Sequence, residues 1–138
     1  MRDFEQTELF GVHLMIDGYG ACRRRLADAD RLRALLDSVP GQLGMTSIAA
    51  PQVVEVGPKN RKDPGGLSGF VMIAESHISF HTFPNRGFVT IDLYTCQPKL
   101  DHDRVVRLMQ DEFAFSDADV FLQERGVRYP VADLPASA

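Results

Sequence analysis

ESHISFHTFPNRGFVTIDLYTC, residues 75–96, reads as two strands joined by a tight loop. Taking Pro84-Asn85-Arg86-Gly87 as a four-residue connection sets Phe83 opposite Phe88 and, two residues at a time, Ser79 opposite Asp92 and His77 opposite Tyr94. Strand side chains alternate between faces, so Ile78, Phe80 and Thr82 share one side with Val89, Ile91 and Leu93. His77, Ser79 and His81 share the other side with Thr90, Asp92 and Tyr94. The apolar side is fit to take helices. The polar side calls for a site or a subunit contact. The same register carries Cys96 to the position opposite Glu75.

Working outward, residues 12–16 read as a first strand ended by Gly18-Tyr19-Gly20. Leu26, Leu32, Leu35, Leu36 and Val39 fit one helical face, with Asp28 or Asp30 as N-cap and Pro40-Gly41 as the stop. Residues 45–56 read as a strand interrupted by Pro51, and 57–66 as a polar Gly/Pro-rich loop. Residues 67–74 have the short apolar run of a buried strand. Asp101 is placed to cap a second helix carrying Val105, Leu108, Met109 and Glu112, residues 120–127 read as a last strand, and 130–135 as a loose tail. The order β-α-β-β-β-β-α-β predicts an α+β fold: an antiparallel β-sheet with two helices packed on one face, a two-layer sandwich.

The 138 residues fit one domain, 1–138, with no solenoid repeat. Hydrophobic content of 44% and charged content of 25% are those of a soluble protein, and no apolar run nears the roughly 20 residues that span a bilayer. The opening MRDFEQTELF lacks the basic start and apolar core of a secretory signal, so a cytoplasmic protein is expected. A net charge of −4 argues against nucleic acid as partner, since phosphate binding is dominated by Lys and Arg. The basic runs Arg23-Arg24-Arg25 and Lys59-Asn60-Arg61-Lys62 read as solvated loop charge. Cys22 and Cys96 are expected as free thiols.

The polar side of the hairpin admits several chemistries. His77 and His81 lie about 13 Å apart along a strand, too far to share a zinc at about 2 Å, so no metal site is read. Hydrogen-bonded surface histidines are the plainer alternative. A hydrolase would use Ser76 or Cys96 as nucleophile and a histidine as base, but there is no G-x-S-x-G elbow.

The run also resembles the small prokaryotic form of the S-adenosylmethionine decarboxylase family, pyruvoyl-dependent enzymes of polyamine synthesis. The resemblance rests on Ser68-Gly69, Glu75-Ser76-His77, Ser79, His81-Thr82, Phe83-Pro84, Gly87 and residues 92–96 ending in Thr95-Cys96, with Gly11-Val12-His13-Leu14 similar to the family's first strand. It implies a chain that cuts itself between Glu75 and Ser76. The Ser76 hydroxyl takes over the Glu75 acyl group, and elimination and hydrolysis then leave a pyruvoyl group at the head of an α chain, 76–138, beside a β chain, 1–75. The pyruvoyl ketone would form a Schiff base with the substrate amine, and the conjugated amide would accept the electrons released with CO2. Ser68 and His81 match the family's self-processing residues, and Cys96 matches its proton donor.

By the same resemblance Glu75, Asp17 and Asn85 fall at substrate-binding positions. Asp17 and Asn85 each stand where the family has a glutamate, and Phe83 stands where it has a tryptophan. Lys62 occupies the place of an aromatic that stacks on adenine. These departures keep a second substrate class in view, a free basic amino acid such as L-ornithine or L-arginine, although Lys62 and Arg86 would repel its cationic side chain. An uncleaved non-catalytic homologue or regulatory subunit is a further alternative. Ser76 and His81, five residues apart on one strand, are separated by about 16 Å, which predicts a homodimer in which His81 of one protomer serves Ser76 of the other. The expected partner is thus a second copy and a small-molecule substrate, with neither nucleic acid nor membrane.

Overall fold

The computed structural model describes residues 6–137; residues 1–5, part of the opening read against a secretory signal, and residue 138 lie outside it. Six antiparallel strands form the main sheet: β2 (Gly11–Tyr19), β3 (Gln52–Val56), β4 (Gly66–Ile73), β5 (Ser76–Phe83), β6 (Phe88–Thr95) and β7 (Asp117–Arg125), in the spatial order β3-β4-β5-β6-β2-β7. Two-residue strands β1 (Thr7–Glu8) and β8 (Tyr129–Pro130) pair separately at the margin. Helices α1 (Arg23–Leu26), α2 (Ala29–Gln42) and α3 (His102–Phe113) complete the fold. It is α+β with two layers, as the alternation of elements requires, and it gains a one-turn helix and a small ladder that the sequence pattern did not announce.

The β5–β6 hairpin has the register expected from its loop: Phe83 faces Phe88, His81 faces Thr90, Ser79 faces Asp92 and His77 faces Tyr94. Pro84–Arg86 make a single 3-10 turn, and Gly87 closes it at φ +60°, a left-handed conformation cheap only for glycine. Ile78, Phe80, Val89, Ile91 and Leu93 point inward with Leu14 and Ile16. They meet Leu32, Leu36 and Val39 of α2 and Val105, Met109 and Phe113 of α3 in one core. Each such side chain contributes on the order of 2 kcal/mol when fully buried, so a one-residue slip of either hairpin strand would forfeit several of these at once. Thr82, the polar member of the inner face, donates to the Leu26 carbonyl and accepts from the Leu67 N–H, which satisfies its buried hydroxyl.

Several boundaries differ from the sequence reading. Helix α2 is capped by Asp28, which accepts from the Arg31 N–H, but it runs through Pro40 to Gln42. Proline lacks only its own N–H; its carbonyl still accepts from Leu43 and Met45, so the last turn closes. Leu26, counted with that helical face, belongs instead to α1, where it is fully buried. Of residues 45–56 only Gln52–Val56 is strand. Ser47 makes an isolated bridge to Ile73, and the chain bends over residues 49–51 before it rejoins the β4 edge as β3. Strand β7 begins at Asp117, pairing residue by residue with β2, and the tail read as loose starts with the β8 pair.

Among the described residues, no helix covers the outer face of the sheet. Val54, Phe70, Met72 and Phe121 stand there at 57%, 41%, 46% and 51% exposure. Between them run polar rows, and one crosses five strands: Asp119, Asp17, Thr90, His81 and Ser68 are successive cross-strand partners.

Candidate active site

Ser76 opens β5 and pairs with Ile73, so Ala74-Glu75 is a two-residue hairpin turn. Glu75 adopts φ +56°, a conformation that costs a non-glycine residue about 1 kcal/mol or more. That strain lies on the residue whose carbonyl would be the acyl donor in self-cleavage. The Ser76 side chain is buried, at 9% exposure, on the helix side of the sheet. Its Oγ accepts from the Cys96 N–H at 3.3 Å, while the Cys96 Sγ donates to Glu75 Oε2 at 3.8 Å. Cys96 thus holds both residues of the peptide bond in question. The regular β5–β6 ladder ends at His77 and Tyr94, but the extrapolated meeting of Cys96 and Glu75 occurs.

Two clefts flank Cys96. One of about 170 Å³ includes Met45, Thr46, Ile73, Ser76 and Thr95. The other, about 460 Å³, is lined by Glu8, Leu9, Phe10, Glu75, Pro98 and Tyr129 as well as Cys96. The β1–β8 ladder brings Glu8 and Tyr129 there from opposite ends of the chain, and no local pattern in the sequence signals it. Gly11 was visible as part of a strand but not as a support. A Cβ there would lie 2.0 Å from the Thr95 carbonyl oxygen and 2.9 Å from Cys96 Cα, so only glycine lets the end of β6 approach β2 so closely.

Ser68 and His81 meet at the other end of β5. They are cross-strand partners, with Ser68 Oγ and His81 Nδ1 hydrogen-bonded at 2.8 Å on the outer face. Ser76 faces inward and His81 outward, five residues apart, so they are divided both by about 16 Å of strand and by the sheet itself. Asp17 lies in the same row as His81, two strands away, rather than beside Ser76. Burial raises its pKa, with smaller contributions from Asp119 and Asp92. In the neighbouring rows His13 Nε2 bonds Asp92 Oδ1 at 2.9 Å. Asn85 sits in the hairpin turn. A cleft of about 410 Å³ near it is lined by Phe83, Phe88, Asn60, Lys62, Asp63 and Arg86. Phe83 and Phe88 pack with their rings tilted and their centres 5.7 Å apart, and Arg86 donates to the Arg61 carbonyl, pinning the 57–65 loop over this cleft.

Ser68 with His81 and Ser76 with Cys96 thus stand as two separate pairs, one at each end of β5. The family model for S-adenosylmethionine decarboxylase matches residues 12–126. The chain belongs to that family. An S-adenosylmethionine decarboxylase proenzyme of Thermococcus kodakarensis is 30% identical over 122 residues, covering 88% of this chain and 80% of the relative. One of Thermoplasma acidophilum is 35% identical over 100 residues, 72% and 71% of the two chains. Among solved structures, the adenosylmethionine decarboxylase of Aquifex aeolicus superposes with a TM-score of 0.74 at 25% identity, covering 92% of this chain and 99% of that one. Among the described residues no helix is long and apolar enough to cross a membrane.

Proposed function

We propose that this chain is a self-processing, pyruvoyl-dependent carboxy-lyase that converts S-adenosylmethionine to its decarboxylated form, the aminopropyl donor for spermidine synthesis. The observation that carries the reading is the grip of Cys96 on Glu75 and Ser76, which puts a hydroxyl, a strained acyl donor and a thiol at one point. A pyruvoyl group made from Ser76 fits this place: the cleft of about 170 Å³ beside Ser76 has room for a planar ketone, and Cys96 lies next to it. That group supplies a ketone for the substrate amine and an acceptor for the electrons released with CO2.

The chain's own residues supply the rest. The Cys96 N–H holds the Ser76 hydroxyl in place, and the Cys96 thiol returns a proton to the carbon that lost CO2. Ser68 and His81 work as a unit on the Ser76 of a second copy, His81 taking the Ser76 α-proton during elimination while Ser68 fixes its ring. The bare outer face, with Val54, Phe70, Met72 and Phe121, is the surface on which that copy packs. Asp17, Asn85 and Glu75 contact the substrate in the completed site. The enzyme works in the cytoplasm, where its two free cysteines stay reduced.

The cleft near Asn85 favours the nucleoside substrate over a free basic amino acid. It offers two phenyl rings as a platform, and its one carboxylate, Asp63, is outnumbered by Lys62 and Arg86. The test is intact mass under denaturing conditions, followed by CO2 release from carboxyl-labelled S-adenosylmethionine, ornithine and arginine in parallel. Two fragments split at Glu75/Ser76, the larger-numbered one at the pyruvoyl mass, and CO2 from S-adenosylmethionine alone are expected. A single chain of 15.4 kDa would instead make this a non-catalytic homologue.

A further inference from the structure

We infer that the Glu75 side chain is the relay that reloads Cys96 with a proton after each turnover. The inference rests on the decarboxylase reading and adds to it a second duty for the residue on the N-terminal side of the cut. Three features of Glu75 point the same way. Its carboxylate is in contact with the Cys96 sulfur at 3.8 Å. It is exposed and lines the 460 Å³ cleft that Cys96 also lines, so it touches both the thiol and the solvent. Its backbone holds φ +56°, a turn position where glycine or asparagine would be less strained. A glutamate kept there against that cost sends a carboxylate back toward the sulfur.

The proton balance requires such a group. When CO2 leaves, its bonding electrons stay with the substrate carbon, and the Cys96 S–H bond breaks as a new C–H bond forms with that pair. The sulfur is left as thiolate. One proton per CO2 must then come from solvent, and Cys96 is only partly accessible. Glu75 takes up a proton from water or a buffer acid and passes it to sulfur, returning to carboxylate. The S–H···O contact of the uncut chain has the proton on sulfur, the arrangement that such a transfer would restore. Glu75 does not touch the reacting carbon in this scheme and is a positioning and relay residue.

The experiment compares Glu75→Gln and Glu75→Asp with the wild type, each rate divided by the amount of cleaved, pyruvoyl-bearing α chain found by intact mass. For Glu75→Gln we expect kcat to fall by about 100-fold, the low end of general acid–base effects, and by clearly more than KM rises, the change in KM reading the substrate contact of the same side chain. Added formate or imidazole buffer should restore the rate in proportion to its concentration, and Glu75→Asp should keep most of it. Misdirected protonation, which leaves the α chain with a free alanine N-terminus, should rise per turnover and be read by mass and amine labelling. The Glu75→Gln/Cys96→Ala double variant should be no slower than Cys96→Ala. An unchanged kcat, or a loss that no buffer acid rescues and that adds in full to Cys96→Ala, overturns the relay.

Because Glu75 borders the cut, cleavage of Glu75→Gln can itself fail. The same contact is then read in the uncut Ser76→Ala background by alkylation of Cys96, with Cys22 as internal control. Removing the Glu75 carboxylate should speed Cys96 alkylation at least threefold and leave Cys22 alone; equal rates overturn the contact on which the relay depends. A wild type without a pyruvoyl-mass α chain would sink the decarboxylase reading itself, a result separable from all of these.

Discussion

The two ends of β5 differ in almost every respect. At the Ser76 end the chain is closed into a two-residue turn, strained at Glu75, and the serine is turned inward beneath Cys96. At the His81 end the strand is regular, and the histidine stands outward on the open face with Ser68 beside it. One end has the peptide bond that the proposed function would break and no histidine; the other has the histidine proposed as its base, with Ser68 as its hydrogen-bond partner. A strand is too stiff to bend its ends together, and its alternation has put the two groups on opposite faces. The difference teaches why the proposed function calls on a second copy: within one chain the two ends of the strand cannot meet.

The largest effect should come from mixing variants. His81→Ala alone should leave the chain uncut, and so should Ser76→Ala alone. Co-expressed in equal amounts, about half of the dimers should be mixed by random assortment, and in those the His81→Ala chain should be cut by the base of its companion. Mass spectrometry that found no cut His81→Ala chain in verified mixed dimers would put both ends back in one protomer. Gly11→Ala attacks the Ser76 end from behind. Its Cβ has no room against Thr95 and Cys96, so a loss of about 3 kcal/mol in urea unfolding, together with slowed cleavage, is expected.

Cys96→Ala should separate cutting from turnover: processing stays intact while kcat falls by about 100-fold, measured on cleaved protein. An equal fall in both would mean that Cys96 matters only as scaffold. The smallest effect sharpens the His81 end. Asp17 has a pKa raised by burial first and by Asp119 and Asp92 after it. The folded state therefore holds that proton more tightly than the unfolded one, which favours folding at acid pH, and the gain is lost as pH rises through the raised value. Asp119→Asn should lower the Asp17 titration in carboxyl NMR without returning it to the ordinary carboxylate range, because burial remains. It should also lower the Tyr19 titration, since the Tyr19 hydroxyl donates to Asp119 at 2.9 Å and that hydrogen bond raises its pKa.

Much of this was legible in the sequence where one local rule decided the outcome. The loop Pro84-Asn85-Arg86-Gly87 fixes the register of fourteen strand residues, and from that register follow the two faces and the approach of Cys96 to Glu75. Asp28 and Asp101 are caps because each leads a run of helical spacing. What stayed hidden depends on distant contacts or on conformations that a residue type does not advertise. Glu8 and Tyr129 join through β1 and β8 across nearly the whole chain. The positive φ of Glu75 has no signature, because glutamate rarely adopts it. Pro40 reads as a stop, yet a proline in a last turn forfeits only one hydrogen bond.

The strand order also fixes the sequence of events in the molecule's life. Cut at Glu75/Ser76, the two pieces would alternate across the sheet: β3 and β4 from the first, β5 and β6 from the second, β2 from the first, β7 from the second. They would be plaited, joined by four ladders, β1–β8, β2–β6, β2–β7 and β4–β5, of which the cut borders only the last, at its Ile73–Ser76 end. Such a weave is easily made by one continuous thread and poorly by two, because two must first find each other at the low concentration of a dilute solution. The cut then works as a ratchet. A molecule unfolded after it has lost the route by which it was made, and heated enzyme should recover far less than heated Ser76→Ala precursor, the more so the further both are diluted.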